Sequence, residues 1–420
     1  MSKKILLMDT LSLMDTLSAI HVGNGALLEN TIKLCKDAYG ECEFNIMTFD
    51  KVTNRLKYNE DKLYDPMFGN FAIDKNSFHK IFWMLKQLAF MLLQIINEYT
   101  FKTSSKKLTF NNNQKQAITL IEKSDICISL GGEMIGDTFF KTLPFYLFNF
   151  WIASKKGKKF ILFPQSVGPL KKGWTRKLCR WALRDAALLV GRDKPSYETL
   201  LSLGFDKDKV MFAPDVAIQQ EIGNAEIYNY FNDKTKKIIG ITISNPPHRE
   251  MGQQVDFVQE IGSQIEKLDS NTYKILIMPS NYKLREISAD YALCLKLKER
   301  LADKFEVAIL ENRPYFPDEY TALLGQLEFF VSTRMHVAIL ATTAFTPTIA
   351  INTQHKIMGY MKNINMEHFC VEYENLNTIF ELSQEIVNTR EQVVEDLKAA
   401  NAKLKKEHEI FVLKLKEIVK

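Results

Sequence analysis

Eleven short apolar runs, separated by longer amphipathic stretches, limit most strongly what this 420-residue chain folds into. The first set is Lys4–Met8, Glu43–Met47, Ile126–Ser129, Lys159–Phe163, Ala187–Gly191 and Val210–Phe212. The second is Ile238–Ser244, Tyr273–Met278, Glu306–Leu310, Phe329–Ser332 and Thr348–Ile351. Helix-period segments lie between them, among them Thr138–Ser154, Trp174–Arg184, Pro195–Leu203, Gln254–Leu268 and Leu284–Leu301. Continuous apolar runs of this length are strands buried on both faces, and their alternation with helices builds parallel sheets covered by helices on both sides. The prediction is an α/β chain of two Rossmann-like domains. One covers residues 1–218, with a loop and helix insertion at about 50–112, and the other covers 238–377. The polar stretch Gln219–Lys237 is the expected joint, and the charged tail 378–420 is expected to be helical and to pack back on the domains.

Composition narrows the class. Hydrophobic residues are 46% and charged residues 25%, as in an ordinary soluble enzyme. A net charge of +5 lacks the concentrated basic face of a nucleic-acid binder, but suits an anionic substrate or anionic lipid. Cysteines 35, 42, 127, 179, 294 and 370 are scattered without a CxxC pair. Neither a disulfide framework nor a zinc site is expected, so the thiols read as buried in a reducing, cytoplasmic compartment.

The N-terminal apolar run is too short for a signal peptide and reads as the first strand. Phe78–Ile96 is interrupted by Lys80 and Lys86, short of the ~20 apolar residues that a membrane span needs. It predicts an amphipathic helix, turned to the core in the plainer reading or laid on a membrane surface in the other. The tandem Leu7–Ser12 and Leu13–Ser18 (LMDTLS twice) reads as a local duplication lengthening the loop after the first strand.

In open parallel sheets, ligands bind beyond the carboxyl ends of the strands. Four strand-end segments draw the eye. Leu130–Asp137 holds Gly131, Gly132 and Glu133 and ends at Asp137, which suits either proton transfer or helix capping. Pro164–Pro169 offers Gln165 and Ser166 in a shaped Gly-Pro loop. Arg192 leaves a strand just before a helix, placed for an anion or for a surface pair with Asp193. Arg334, Met335 and His336 sit where strand gives way to a small apolar helix; a guanidinium fork and an imidazole there suit anion binding and proton transfer. Beyond the last run, Gln354 and Lys356 are expected to face the same cleft. Complete Walker, G-x-G-x-x-G, HExxH, G-x-S-x-G and CxxC motifs are missing, against ATPase, nicotinamide, zinc-protease and serine-hydrolase chemistry.

Taken in order, these segments resemble the polysaccharide pyruvyl transferase family across residues 20–362. The matches are a glycine-containing N-terminal loop (His21–Leu28, with Asn24), the Gly-rich loop Gly131–Asp137, and Gln-x-x-Gly-Pro at Gln165–Pro169. They continue with Arg192, Asp193, Ser196, Leu203 and Gly204, then Pro214-Asp215, then Arg334-x-His336 with Lys356 and Gly359. Three positions depart from the pattern: Glu133 for a glycine, Pro164 for a glycine and Met335 for a leucine.

The resemblance implies a glycosyltransferase-B-like fold, with an acceptor-side N-terminal and a donor-side C-terminal domain and a site in the cleft between them. It implies transfer of pyruvate from phosphoenolpyruvate to a sugar of a cell-surface polysaccharide precursor, forming a ketal and releasing phosphate, with no metal or other cofactor. Arg334, Arg192, Met335 and Lys356 are then the expected donor-binding residues, and His336 and Asp137 the expected proton-transfer groups. Gly131, Gly132, Glu133, Gln165, Ser166 and Asn24 are the expected acceptor-side or loop residues. The expected partners are a lipid- or nucleotide-linked sugar and, at its periphery, an anionic membrane; Phe78–Ile96 and Lys171–Lys177 suit such a surface. The rival readings are a glycosyltransferase using a nucleotide sugar and a non-catalytic scaffold of polysaccharide assembly.

Overall fold

Each predicted apolar run forms a strand. The computed structural model describes residues 2–8, 19–49, 51–69, 77–232, 234–244, 256–283, 288–353 and 355–418. In chain order the strands are β1 (Lys3–Met8), β2 (Ala19–His21), β3 (Cys42–Met47), β4 (Leu63–Tyr64), β5 (Ile126–Ser129), β6 (Lys159–Gln165), β7 (Leu188–Gly191) and β8 (Val210–Phe212). They continue as β9 (Lys237–Thr242), β10 (Tyr273–Ile277), β11 (Asn281–Lys283), β12 (Val307–Ile309), β13 (Phe329–Ser332), β14 (Thr348–Asn352) and β15 (Cys370–Glu372). Sequence reading missed β2, β4, β11 and β15, whose two or three residues are too few to carry a periodic signal. Most of the LMDTLS tandem and Gln354 lie outside the described residues.

Among the described residues, one sheet runs β4-β3-β1-β5-β6-β7-β8 and a second runs β12-β10-β9-β13-β14-β15, every pair in both being parallel. Each sheet reverses its winding once. In the first, the chain goes from β1 out to β3 and β4, then returns to β5 on the other side. In the second it goes from β9 to β10 and β12, then returns to β13. These reversals are topological switch points, where helices diverge to opposite faces and leave a crevice at the strand carboxyl ends. The Gly-rich segment after β5 and the Arg334 segment after β13 each stand at one.

The chain divides into two compact units, Met1–Ser18 with Thr31–Asp215 and His408–Lys420, and Ala19–Asn30 with Val216–Glu407. This division differs from the expected boundaries at three points: the break falls after Asp215, residues 19–30 group with the second unit, and the tail is divided at His408. Strand β2 belongs to neither parallel sheet and pairs with β11 in an antiparallel ribbon.

Packing follows composition. In the first unit the helix Leu143–Lys155 is buried almost all round; Phe145, Phe148 and Trp151 lie in the core, and Trp151 stacks on Trp181 at 5.2 Å between ring centres. Fully burying each such side chain contributes roughly 1.5–3 kcal/mol. In the second unit the helix Met335–Thr343 packs small residues, Ala338 and Ala341, close to the sheet, and His336 is the residue left out of its buried set. The tail forms helices Ile379–Asn388 and Arg390–Ile418. Asn401 donates to the Thr342 carbonyl at 2.8 Å within the second unit. Within the first, His408 meets the Pro214 carbonyl at 2.9 Å and Phe411 packs on Phe163.

The helix Ser77–Ile96 buries part of its apolar surface, as the plainer sequence reading expects: Phe90 and Met91 join the core of the first unit. Gln87 and Gln94 point inward, while Phe78, Phe82, Leu85 and Leu92 are exposed. No helix among the described residues is long and apolar enough to cross a membrane.

Candidate active site

In the second unit, β13 ends at Ser332 beside central β9. The Ser332 hydroxyl accepts the Arg334 N–H at 3.1 Å and donates to the Arg334 carbonyl at 2.9 Å. This local turn sets Arg334, in extended conformation, as the residue before the helix Met335–Thr343. Thr333 is fixed on both sides: its hydroxyl meets Ser244 after β9 at 3.0 Å, and its carbonyl accepts from Thr353 after β14 at 3.1 Å. The Arg334 guanidinium pairs with the buried carboxylate of Asp290, in the first turn of helix Ala289–Leu301. Its Nε is buried and makes no hydrogen bond among the described residues. Asp290 therefore aims the fork and leaves part of its donor capacity unused. The Met335 side chain is buried in the core, so this residue offers only its backbone N–H, at a helix N-terminus.

His336 faces a second histidine. The β2–β11 ribbon pairs His21 with Asn281, and the Val22 N–H donates to the Ser280 carbonyl at 3.1 Å. The ring centres of His21 and His336 lie 6.4 Å apart at an interplanar angle of 80°. Burial, and then the positive charges of Arg334, His336 and Lys356, hold the His21 imidazolium well below its usual pKa. His21 is therefore neutral at pH 7. Its Nδ1 accepts the Gly23 N–H at 3.1 Å, which puts the ring proton on Nε2. Lys356 comes from the start of helix His355–Asn363, just beyond β14. The arrangement is a basic cluster around a neutral hydrogen-bond donor, with Asp290 as the carboxylate paired to Arg334.

The segment His21–Leu28 is not the expected loop. His21 ends β2, and Val22 opens the helix Val22–Tyr39. Its glycines serve close packing: a Cβ at Gly23 meets the His336 Cβ at 2.4 Å, and one at Gly25 meets Pro317 at 3.0 Å. Asn24 lies between them on the partly exposed side of the first turn.

In the first unit, the segments after β5, β6 and β7 are laced together. Ser166 N–H donates to the Gly132 carbonyl at 2.9 Å, Gly168 N–H to Ile135 at 2.7 Å, and Arg192 N–H to Gln165 at 3.1 Å. The Val167 N–H donates to the Ser196 hydroxyl at 2.9 Å. Gly131 and Gly132 are buried and Glu133 is partly exposed. Gln165 is fully buried; its Oε1 accepts from Tyr146 at 3.2 Å, and its Nε2 has no acceptor among the described residues.

Two side chains singled out from sequence have structural tasks here. Arg192 is buried; it pairs with Asp215 at 2.8 Å through Nη1 and donates from Nε to the Ser166 hydroxyl at 2.9 Å. Its partner is thus Asp215 rather than Asp193, whose carboxylate instead caps helix Lys194–Ser202 by accepting the Ser196 N–H at 2.7 Å. Asp137 accepts the Lys171 and Lys172 N–H groups at 2.6 and 3.0 Å and the Thr175 hydroxyl at 2.6 Å. Burial opposes its charge, but the Thr175 and backbone donors prevail and hold it below the usual carboxylate range. Such a carboxylate is a helix cap and a weak base.

Sequence reasoning quoted His21 only as the start of a motif and missed Asp290. The latter carried no signal, since an acid just after Ser288 in a helical first turn reads as ordinary capping chemistry.

Comparison with known proteins sharpens this picture. The sequence pattern of the family described as Polysaccharide pyruvyl transferase matches residues 21–355. The Amylovoran biosynthesis protein AmsJ of Erwinia amylovora is 23% identical over 284 residues, 64% of this chain and 67% of the relative. Among solved structures, the UDP-GlcNAc 2-epimerase of Neisseria meningitidis bound to UDP-GlcNAc superposes with a TM-score of 0.56 at 12% identity, covering 98% of this chain and 99% of that one. Anabaena HepE in complex with UDP and glucose gives 0.53 at 10% identity, covering 99% and 97%. These likenesses establish a glycosyltransferase-B-like fold of two parallel α/β sheets.

Proposed function

The chain belongs to the polysaccharide pyruvyl transferase family, and from that premise we infer that it moves the pyruvyl group of phosphoenolpyruvate onto two hydroxyls of a sugar in a polysaccharide precursor. C2 of the donor gains bonds to both sugar oxygens as the phosphate leaves with the enol oxygen. One hydroxyl proton ends on C3, which becomes a methyl group, and the other leaves with phosphate.

The observation that carries this reading is the gathering of Arg334, His336 and Lys356 around His21. A donor with a carboxylate and a phosphate needs cations in fixed geometry, and each charge-assisted hydrogen bond contributes about 1.5–3 kcal/mol. Arg334, oriented by Asp290, holds one anionic group through a bidentate contact. Lys356 holds the phosphate as a point charge, and the His21 Nε2–H donates to it without adding charge. His336, partly exposed beside them, is the proton donor to the reacting carbon or the leaving oxygen. Arg192, neutralised by Asp215, fixes Ser166 instead of meeting the donor. Asp137 shapes the 171–177 segment. Gln165, fully buried, supports its loop, and the partly exposed Ser166 is assigned to the acceptor, a lipid- or nucleotide-linked sugar.

The test is phosphoenolpyruvate-dependent phosphate release with candidate acceptors, read together with the acceptor's mass gain of one pyruvyl ketal. Full activity in both Arg334→Ala and His336→Ala excludes this site. Thermal stabilisation by nucleotide sugars, with none by phosphoenolpyruvate, favours glycosyl transfer instead.

A further inference from the structure

The helix Ser77–Ile96 buries Phe90 and Met91 in the core but leaves most of its apolar residues outside. On its inner side Gln114 Nε2 donates to the Gln87 carbonyl oxygen at 2.9 Å, and Gln94 Nε2 donates to the backbone carbonyls of Ser105 and Leu108 at 3.0 and 3.2 Å. Asn97, just past the helix, continues the inner row by donating to the Thr103 carbonyl at 2.8 Å. All four amides are buried. On the outer side Phe78, Ile81, Phe82, Leu85 and Leu92 are 74%, 54%, 62%, 57% and 57% exposed. Their spacing keeps them on one face, a stripe running about 21 Å from Phe78 to Leu92 at 1.5 Å per residue. Single exposed apolar residues are ordinary, but a continuous stripe marks a surface that something covers.

Charge indicates what covers it. The helix contains Lys80 and Lys86 and no Asp or Glu. Glu98, the first acid beyond it, is already paired with Lys156. Lys86 flanks the exposed stripe, while Lys80 stands in the inner row, seven residues before Gln87; a second copy laid isologously on this face offers no carboxylate of this helix to Lys86. An anionic bilayer supplies the missing negative charge: apolar side chains enter the acyl boundary while lysine stems lie along it and carry their ammonium groups to the phosphates. Since no helix among the described residues is long and apolar enough to cross a membrane, this one is expected to lie along the surface.

We propose that the outer face of Ser77–Ile96 docks the protein on anionic phospholipid, with the helix parallel to the membrane plane. This rests on the polarity of one helix and not on the transferase reading. If both hold, docking brings the enzyme to the surface where a lipid-linked sugar is displayed.

Flotation of the full chain with vesicles of phosphatidylcholine, with and without phosphatidylglycerol, tests the proposal. The protein is expected to float with the anionic vesicles and not with the neutral ones. Lys86→Glu is expected to lower the partition constant about fivefold or more. The triple variant Phe82→Glu, Leu85→Glu, Leu92→Glu is expected to abolish flotation while keeping the wild-type circular dichroism and melting midpoint, because these side chains are more than half exposed. If the triple variant does not fold, Lys86→Glu decides. Failure of the wild type to float, or flotation indifferent to all these changes, overturns the idea. So does a dimer in sedimentation that the triple variant makes monomeric while vesicle binding is absent, since the face is then a contact between copies.

Discussion

Gly23 and His336 touch: a methyl group on the Gly23 Cα meets the His336 Cβ at 2.4 Å and its Cγ at 2.9 Å. The side chain that we assign to proton transfer is therefore positioned by the absence of one on a helix whose first turn is fixed by the β2–β11 ribbon. Gly23→Ala must move either the imidazole or that turn. Misplacement of about 1 Å costs on the order of a hundredfold in rate, and overpacking costs roughly 1–3 kcal/mol in stability. We expect kcat for phosphate release to fall by about that factor, with a lower melting midpoint. An alanine variant with wild-type kcat disconnects His336 from the chemistry.

The Arg334–Asp290 pair gives a separable prediction. Asp290→Asn preserves shape but removes the charge that aims the fork. We expect the KM for phosphoenolpyruvate to rise about tenfold or more, the equivalent of one charge-assisted contact. Arg334→Lys keeps the charge and loses the planar fork, and is expected to fail similarly. Donor titration by calorimetry reads both; unchanged affinity in Asp290→Asn rejects the orienting role.

Asp137 separates structure from catalysis. As a cap accepting two backbone N–H groups and a hydroxyl, it stabilises the turn into helix Gly173–Leu183. Asp137→Asn is expected to cost about 1–2 kcal/mol in urea unfolding. A general base instead contributes about a hundredfold to ten-thousandfold in rate. A rate loss of that size without destabilisation makes Asp137 a base after all.

His408 predicts acid sensitivity. Burial lowers its pKa to about 4 from an ordinary 6.5, against the opposing pull of the Pro214 carbonyl and Asp215. Above pH 6.5 both folded and unfolded chains carry it neutral. Between 6.5 and 4 the unfolded chain takes up a proton that the folded one refuses, so stability is lost as pH falls through that window. The loss approaches about 3 kcal/mol at its lower end. Urea midpoints at pH 7.5 and 5 are expected to differ less in His408→Gln than in wild type; an equal difference removes His408 as the cause.

The sheets were legible because burial on both faces writes strands as unbroken apolar runs, such as Ile126–Ser129 and Phe329–Ser332. The position of Arg334 and His336 at a strand end was legible because they directly follow such a run. Other features left little trace. The three-residue strand at His21 has no period, and its glycines look like a loop until the neighbour that they admit is known. Asp290 is one acid among many on a helix. Asp137 and Arg192 were assigned chemistry because sequence shows that a charge is present but not what already satisfies it. Phe78–Ile96 was legible only in part for a related reason: a helical period reveals that two faces differ, without saying how much of each turns inward, and Phe90 and Met91 enter the core while Phe78 and Leu85 do not.

The interleaving of the two units has a consequence for inheritance. Cutting the chain after Asp215 yields a C-terminal piece that carries Arg334, His336 and Lys356 but not the imidazole they surround, and it strips β11 of its partner strand. Halves exchanged between relatives at the midpoint would thus combine a basic cluster from one parent with a histidine and two spacing glycines from another. For this site to pass intact into a chimera, residues 19–30 must travel with the distant half of the sequence.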